Sequence, residues 1–427
     1  MKKSYLEMSE RELSDSISAL TAEYEAEKKK GLKLDMSRGK PSTAQLDLSN
    51  GLLKILDGKE ARAENGFDVR NYGVLAGIPE ARRLIADVCG VESENVVIGG
   101  TASLEVMYNT VVRAMIFGTG EGKTPWIKQG KIKFICPAPG YDRHFGICQD
   151  LGIEMITVRM TKTGPDMDEV ERIVASDSSV KGIWCVPKYS NPDGITYDDE
   201  TVRRIASMKC AADDFRVFWD NAYIIHDLDD KPDKLLNIFD IIKGTPNEDL
   251  VYMFVSTAKV TFPGSGISAF ISSGKNVDFA LAHMNYQTIS YDKINQLRHV
   301  RFFGSADGMR AHMKKHAAIL YPKFKITLDA LKCELDGLDI AHWEEPRGGY
   351  FVSLYVLPGT ARRVGELCKN AGVTLTNIGA TYPYGVDPDD SNIRIAPSYP
   401  TEEELAAAMK VLCICVKLAA AEKLLGK

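Results

Sequence analysis

The chain has 427 residues, of which 44% are hydrophobic and 26% are charged, and its formal net charge is −5. The composition is ordinary for a soluble globular protein, and the length exceeds what one hydrophobic core normally supports. We therefore expect two domains, or one large α/β domain with a smaller partner. The acidic balance argues against nucleic acid as a main partner, because binding a phosphate backbone needs a concentrated basic surface.

The N-terminal segment carries no apolar run typical of a signal peptide, and no stretch reaches the roughly 18 apolar residues of a membrane span. The nine cysteines contain no CxxC pair, and most lie in apolar strings such as GIWCVP. In such strings cysteine packs as a small hydrophobe. We expect no membrane partner, no metal and no disulfide, and a cytoplasmic location fits.

In chain order, the first half begins with a polar helix and a loop, and then strands and helices alternate. The predicted helices cover 9–31, 78–90, 103–116, 143–152, 167–176 and 198–210. The predicted strands cover 96–100, 131–137, 153–160, 180–187, 215–223 and 249–259. Near-continuous apolar strands between helices indicate a mostly parallel sheet that is covered on both faces.

The last part of the chain has a different pattern. A helix-rich stretch around 306–335 is followed by apolar segments and a long final helix. These segments are YFVSLYVL (350–357), VGELCKNAGVTLT (364–376), NIRIAP (392–397) and the helix over 401–427. The pattern predicts a smaller α+β domain.

Lys259 lies at the end of the predicted strand over 249–259, just before a glycine-rich turn. Gly264, Gly266 and Ala269 match the pattern G-x-G-x-x-A, but ISAFISS after the turn has the composition of a strand. A dinucleotide site needs a helix there, so we do not expect one. A lysine at a strand end could form a Schiff base with a carbonyl compound if its surroundings lowered its pKa. The alternative is an ordinary solvated lysine.

Other predicted strand ends also carry polar or aromatic side chains. They are Tyr141, Asn191, Asp220, Tyr223 and Ser256. Thr101, Ala102 and Ser103 form a strand-to-helix turn, where backbone amides and the helix dipole attract a phosphate. Because the carboxyl ends of parallel strands meet at one edge of a sheet, these groups are expected to converge.

Pyridoxal phosphate would need the kinds of group found at these strand ends. Lys259 offers an amine to the aldehyde, and Asp220 offers an anion to the pyridinium nitrogen. Asn191 and Tyr223 can donate hydrogen bonds to the ring oxygen, and Tyr141 can stack on the ring. Each residue also has a purely structural alternative: Asp220 could cap a turn, Asn191 could belong to a turn, and Tyr141 could lie in the core.

Taken together, these motifs resemble those of a known family. They are SRGKP, NYGVLAGIPEARRLIA, GGTAS, PAPGYDRHF, YSNPDG, DNAY, STAK, GGYF and NIRIAPSYPTEEEL. From about Arg38 to the last helix, the sequence resembles a class I aminotransferase of pyridoxal-phosphate fold type I. It looks closest to the divergent bacterial aspartate aminotransferase subgroup.

The resemblance implies an α/β fold with a large cofactor-binding domain over residues 49–317. This domain would contain a mostly parallel seven-stranded sheet sandwiched by helices. A smaller α+β domain would be built from both termini, with residues 1–48 joining residues 318–427. The resemblance also implies pyridoxal 5′-phosphate as cofactor, an amino acid and a 2-oxo acid as small-molecule substrates, and a homodimer.

The resemblance gives each motif residue a role. Lys259 would bind the cofactor and move the substrate proton, Asp220 would pair with the pyridine nitrogen, and Asn191 and Tyr223 would hold the ring oxygen. Tyr141 would stack on the ring.

Further roles concern the phosphate and the substrate. Thr101, Ala102, Ser103 and Ser256 would hold the phosphate, and Tyr72 would reach the phosphate of the neighbouring subunit. Arg394 would grip the substrate α-carboxylate in a bidentate fork, a geometry that lysine cannot provide. Asn191 would also contact substrate, and Gly39 would let the N-terminal segment approach it.

The sequence departs from the family pattern at two points. The family usually has an arginine after the lysine to bind the phosphate, whereas this chain reads PGSGIS, so Ser265 or Ser268 is the candidate replacement. The residue that binds an acidic substrate side chain in the family has no secure match either. The candidates are Arg38, Lys40, Lys293, Arg298 and Arg301.

The predicted function is ping-pong transamination, with aspartate and 2-oxoglutarate favoured by the subgroup resemblance alone. A transaminase for aromatic or other amino acids and a pyridoxal-phosphate β-lyase remain alternatives, because fold and cofactor do not fix the reaction. A non-catalytic regulator on the same fold is a remote alternative. It would be marked by an attached helix-turn-helix domain and a lost lysine, yet Lys259 is present.

Overall fold

A computed structural model gives the structure of the chain and describes residues 2–56 and 60–426. The helices are α1 (Glu10–Lys28), α2 (Thr43–Asp47), α3 (Pro79–Cys89), α4 (Ser103–Phe117), α5 (Asp142–Asp150), α6 (Met167–Ser176), α7 (Asp199–Ser207), α8 (Ile238–Ile242), α9 (Gly274–Gln287), α10 (Lys293–Phe303), α11 (Ala306–Leu335), α12 (Ala361–Asn370) and α13 (Glu402–Leu424). The strands are β1 (Leu34–Asp35), β2 (Val96–Ile98), β3 (Lys133–Ala138), β4 (Glu154–Thr161), β5 (Gly164–Pro165), β6 (Val180–Cys185), β7 (Arg216–Asp220), β8 (Val251–Ser256), β9 (Ser268–Ile271), β10 (Ala341–Trp343), β11 (Val352–Val356), β12 (Val373–Thr374) and β13 (Asn392–Ile395).

The large sheet has the strand order β2-β9-β8-β7-β6-β3-β4-β5. Strands β4, β3, β6, β7 and β8 pair in parallel, whereas β9 is antiparallel to both β8 and β2. The mostly parallel α/β prediction is confirmed. The sheet has one strand more than the seven expected, because the two-residue β5 pairs with the end of β4 at the edge. The strands β2, β3, β6, β7 and β8 all run in one direction, so their carboxyl ends share one edge.

Every residue of β6 and β7 is buried, as expected for strands covered on both faces. The predicted strand over 249–259 is too long, because β8 ends at Ser256. The carbonyl of Thr257 accepts the amides of Val260 and Thr261 at 2.8 and 2.9 Å. These bonds close a turn over residues 257–261, called the lysine turn below because it carries Lys259.

The two chain ends share one hydrophobic cluster. It contains Leu13 and Leu20 of α1 together with Leu405, Leu412 and other residues of α13. Strand β1 pairs in parallel with β12, and β10, β11 and β13 form a separate antiparallel sheet. This shared cluster supports the predicted small domain, whose limits at residues 48 and 318 stay a prediction. Lys427 of the predicted last helix lies outside the described residues.

The cysteines are all free, and seven of the nine are buried. Within residues 2–56 and 60–426, no helix combines the length and the apolar character that crossing a membrane requires. The same residues contain no group of three or more histidine, cysteine, aspartate or glutamate side chains placed to hold a metal ion.

Candidate functional site

The amine of Lys259 lies at the sheet edge where the parallel strands end. Its Nζ is 5.0 Å from the ring centroid of Tyr223 and 6.0 Å from that of Tyr350. Burial is the main cause that lowers the pKa of Lys259; the Asp220 carboxylate opposes this shift and the Arg394 cation adds to it. A lowered pKa leaves more of the amine unprotonated, which is the form that acts as nucleophile and base.

The lysine turn is held by a buried hydrogen-bond network. The Tyr350 hydroxyl donates to the carbonyl of Lys259 at 3.3 Å and accepts from Nε2 of Gln45 at 2.9 Å. The ring of His312 lies 3.0 Å from the carbonyl of Val260. The N-terminal segment, helix α11 and the C-terminal part of the chain thus all contribute to fixing the backbone beside the amine.

Asp220 ends β7 with its two carboxylate oxygens in different environments. Oδ2 lies 3.0 Å from Nε2 of His144, whose ring stacks on Trp184 at 4.3 Å. Oδ1 is buried and has no hydrogen-bond partner among the described residues. A buried carboxylate oxygen without a donor is costly. The protonated ring nitrogen of pyridoxal phosphate would supply such a donor, so Asp220 fits this cofactor.

Two tyrosines flank Asp220. Tyr141 is the N-cap residue of α5, and its ring meets the ring of His144 edge-on at 5.0 Å. Burial raises the pKa of Tyr141 to about 12, with a smaller contribution from Asp220. Burial also raises the pKa of Tyr223 well above its usual value, and the charges of Tyr141 and Asp220 add smaller increases. Both hydroxyls therefore keep their protons at neutral pH and can donate hydrogen bonds.

Arg394 on β13 reaches the same site from the C-terminal part of the chain. Its Nη1 donates to Oδ1 of Asn191 at 3.1 Å and to Oδ1 of Asp142 at 3.0 Å. Its Nε donates to the hydroxyl of Thr376 at 3.3 Å, and Cζ lies 4.7 Å from the ring centroid of Phe351. The structure thus brings together Arg394 and Asn191, which are 203 positions apart in sequence.

Gly266 lies between the turn over residues 101–103 and the lysine turn. Helix α4 begins at Ser103, and its N-cap Ala102 has no capping side-chain hydrogen bond. The amides of its first turn therefore have no side-chain cap, and together with the helix dipole they suit a phosphate. A Cβ added at Gly266 would lie 3.0 Å from the carbonyl oxygen of Thr101 and 3.1 Å from the amide of Ala258. The absence of a side chain at Gly266 permits this close approach.

The two serines suggested in place of the missing arginine differ in their availability. Ser268 on β9 is buried and pairs with Ser256 at the end of β8. Its hydroxyl already donates to the carbonyl of Gly100 at 2.8 Å. Among the residues that the structure describes, the Ser265 hydroxyl contacts only Asn295, at 3.5 Å, and Ser265 is partly exposed. Ser265 is therefore the better candidate for a neutral phosphate donor.

The five basic residues suggested as partners of an acidic substrate side chain differ in the contacts that they already make. Arg301 pairs with a glutamate, Lys293 is buried and donates to a serine hydroxyl, and Lys40 lies 3.8 Å from a tyrosine ring centroid. No ion pair among residues 2–56 and 60–426 involves Arg38 or Arg298. These two cations are the least engaged of the set.

Gly39 and Tyr72 occupy contrasting positions. A Cβ at Gly39 would lie 2.5 Å from Cζ of Phe351, so any side chain there would push this ring, which contacts Arg394. Tyr72 lies in a bend, with 75% of its surface exposed. Its predicted role in a neighbouring subunit stays a prediction.

Sequence reasoning missed His144, Asp142 and Phe351. His144 could have been found, because it follows Tyr141 by three residues at the start of a helix and so shares its face. Asp142 and Phe351 contact Arg394 across long sequence separations, and no local pattern marks such contacts.

Comparisons with known proteins identify the family of this chain. The family described as aspartate amino-transferase matches residues 8–427. An aspartate aminotransferase of Corynebacterium glutamicum is 46% identical over 395 residues, which cover 92% of this chain and 91% of that protein. A crystal structure of an aspartate transaminase from the same species superposes with a TM-score of 0.96 and 43% identity, over 99% of this chain and 100% of that one.

A more distant structure shares the fold alone. It is an α-aminoadipate aminotransferase from Thermus thermophilus, complexed with N-(5′-phosphopyridoxyl)-L-leucine. It is 18% identical, with a TM-score of 0.73 over 91% of this chain and 92% of that one.

Proposed function

The chain belongs to the aspartate aminotransferase family and is an aminotransferase, and from this premise we propose that it moves an amino group between aspartate and 2-oxoglutarate with pyridoxal 5′-phosphate as cofactor. Members of this family are pyridoxal-phosphate enzymes. The observation that carries the cofactor proposal is the buried Oδ1 of Asp220, which has no donor among the described residues. A ring nitrogen that keeps its proton is the donor that this oxygen needs.

In the proposed mechanism, the bound cofactor supplies an aldehyde that takes the substrate amine and a ring that accepts electrons from the α-carbon. Asp220 would hold the protonated ring nitrogen through Oδ1, and the Tyr223 hydroxyl would donate to the ring oxygen. Lys259 would anchor the cofactor until the substrate amine displaces it, and its freed Nζ would then take the proton from the substrate α-carbon and hold it for return. The lowered pKa of Lys259 favours this step, because a base must be unprotonated.

Arg394 orients the substrate in this proposal. Its guanidinium binds the α-carboxylate, and its contact with Asn191 fixes it beside the ring-oxygen site. The amides of the 101–103 turn, with Ser256, hold the phosphate. The reaction runs in two halves: an amino acid leaves as an oxo acid, and a second oxo acid leaves as an amino acid.

The choice of aspartate rests on the similarity to the aspartate aminotransferase of Corynebacterium glutamicum and to the crystal structure of an aspartate transaminase from that species. An acidic side chain needs a cation, and Arg38 and Arg298 are the candidates that have neither an ion pair nor the serine or aromatic contacts of Lys293 and Lys40 in the part of the chain that the structure describes. A guanidinium can bind a carboxylate through two hydrogen bonds. A cytoplasmic location remains a prediction.

We also propose that the enzyme is a homodimer in which Tyr72 contacts the phosphate in the partner's site. Support comes from its 75% exposure in the single chain, which leaves the side chain accessible to a second copy. Mixing Lys259→Ala and Tyr72→Ala subunits tests this. Mixed dimers contain one site without either change, so part of the wild-type activity should return; no recovery in a proven mixed dimer would contradict the shared site.

The experiment that tests the function is an absorption spectrum of the purified protein before and after adding aspartate. We expect a cofactor band that borohydride removes, and a Lys259→Ala variant should lack the lysine-linked form. Aspartate should remove the band and 2-oxoglutarate should restore it. No cofactor band after supplying pyridoxal phosphate would overturn the cofactor proposal.

Other outcomes would identify the alternatives. A band that responds to aromatic amino acids but not to aspartate would indicate an aromatic transaminase. Release of ammonia and pyruvate from a cysteine S-conjugate would indicate a β-lyase. Arg394→Lys should lower kcat/KM by about 10- to 150-fold, because it loses a charge-assisted two-point contact. Lys325→Arg, on the exposed face of α11, is the matched control, with no expected change.

A further inference from the structure

The guanidinium that we assign to the substrate α-carboxylate already contacts a carboxylate of the chain itself. Oδ1 of Asp142 lies 3.0 Å from Nη1 of Arg394. The Arg394 side chain is 6% exposed and the Asp142 side chain 33% exposed. A buried cation without a partner is costly, so this ion pair stabilises the site before substrate binds. Asp142 is the first residue of α5 and directly follows Tyr141.

Three of the five N–H donors of Arg394 are already in use. Nη1 donates to Asp142 and Asn191, and Nε donates to Thr376. Nη2 has no hydrogen-bond partner among residues 2–56 and 60–426. A carboxylate that binds in a two-point fork needs one hydrogen from Nη2 and one from a neighbouring nitrogen. One of the existing contacts must therefore open when the substrate binds.

The structure indicates which contact opens. Asn191 is buried at 4% exposure, and Thr376 is fixed because its hydroxyl donates to the carbonyl of Ser37 at 2.6 Å. The Asp142 side chain is 33% exposed, so its carboxylate already has access to solvent, whereas Asn191 has almost none. Asp142 also carries the same functional group as the incoming substrate. Exchanging one carboxylate for another keeps the charge of Arg394 compensated throughout.

We propose that Asp142 is the resting counterion of Arg394, and that the substrate carboxylate displaces it. The inference rests on the proposed role of Arg394 in substrate binding. Each substrate then binds only to the fraction of molecules whose Arg394 has released Asp142, so the observed affinity is the intrinsic affinity reduced by that fraction. Asp142 thereby sets the working concentration range for both the amino acid and the oxo acid, which use the same cation.

The change in substrate affinity on removing Asp142 distinguishes a competing role from an orienting role. If Asp142 only oriented Arg394, its removal would loosen the guanidinium and weaken carboxylate binding. If Asp142 competes with the substrate, its removal strengthens binding. A binding constant therefore separates the two roles without reference to the rate of the chemical step.

The test uses the cofactor-loaded enzyme with Asp142→Asn, which removes the charge and keeps the shape. Succinate, a dicarboxylate with no amino group, is titrated by calorimetry, and KM is measured for aspartate and 2-oxoglutarate. We expect the Kd and both KM values to fall by about 3- to 30-fold, between the limits for an exposed and for a buried ion pair. Asp142→Ala should shift them in the same direction.

The matched control is Asp307→Asn. Asp307 is also in the first turn of a helix, and its Oδ1 lies 2.8 Å from Nη1 of Arg310 at the surface. This variant should bind succinate within about twofold of wild type, as for a weak exposed pair. An equal gain in both variants would overturn the proposal, because the effect would then be one of general charge.

Failure of this inference and failure of the proposed function give different results. If no amino acid changed the absorption spectrum of the wild-type enzyme, transamination would be contradicted. The succinate titration would still show whether Asp142 competes for Arg394. If Arg394→Lys weakens succinate binding more than tenfold but Asp142→Asn leaves it unchanged or weaker, the function stands and the displacement is overturned. If neither Arg394→Lys nor Asp142→Asn alters binding, Arg394 is not the carboxylate site and the inference falls with it.

Discussion

Alanine at Gly266 should weaken cofactor binding by separating the lysine turn from the 101–103 turn. The new Cβ would lie 3.0 Å from the carbonyl oxygen of Thr101, 3.1 Å from the amide of Ala258 and 3.2 Å from the hydroxyl of Thr257. Two of these three atoms belong to the backbone, so a simple change of side-chain rotamer cannot relieve the crowding. One turn must shift by a few tenths of an ångström.

Overpacking of this kind typically costs about 1–3 kcal/mol. In the cofactor-free protein, the 101–103 turn can move and relieve part of this strain. A bound phosphate holds the turn, so the remaining strain appears as lost affinity. If all of it were expressed in binding, the Kd for pyridoxal phosphate would rise by about 5- to 150-fold.

The assay is a titration of the cofactor-free protein with pyridoxal phosphate, followed by absorbance, alongside thermal unfolding without cofactor. The matched control is Gly264→Ala, two residues away in the same loop, where an added Cβ has no atom within 4 Å. The control should bind like wild type. Equal Kd values for the two variants and wild type, with equal melting temperatures, would refute the view that the contact at Gly266 positions the phosphate turn.

Three further predictions concern charge. Burial raises the pKa of Asp193 to about 6 from 3.8. Its folded form therefore binds protons more readily than its unfolded form, and stability is lost as pH rises from about 4 through 6. Asp193→Asn should raise the free energy of unfolding above pH 7 by about 3 kcal/mol, and the gain in urea denaturation should vanish below pH 4. Asp214→Ala should lower the free energy of unfolding by about 3–5 kcal/mol in the same assay, because it leaves the buried ammonium of Lys181, 2.7 Å from Asp214, without a counterion. The control Asp329→Ala, which breaks an exposed ion pair, should lower it by less than about 1 kcal/mol. Equal losses in the two variants would contradict the burial argument. The rate of amino-group transfer should rise with pH through an apparent pKa below the ordinary lysine value of 10.5, since burial lowers the pKa of Lys259; a rise confined to pH values above 10.5 would refute this.

The sequence alone determined the parallel sheet and the residues at its edge. Apolar strands that alternate with amphipathic helices specify a sheet covered on both faces, and this is a local property of each segment. Because parallel strands end at a common edge, the order of Asn191, Asp220 and Lys259 along the chain was enough to predict their convergence. The predicted strand at ISAFISS is present as β9, so the glycine pattern before it opens no helix.

Only the tertiary structure decided the partners of these residues. The contact of His144 with Asp220 joins α5 to β7, and the contact of Asp142 with Arg394 joins residues 252 positions apart. The steric limit at Gly39 comes from Phe351, in the C-terminal part of the chain. Side-chain periodicity records which face of an element is buried, but it carries no information on which distant element covers that face. Donor counts, orphaned oxygens and ion pairs depend on that packing, so they are properties of the folded chain.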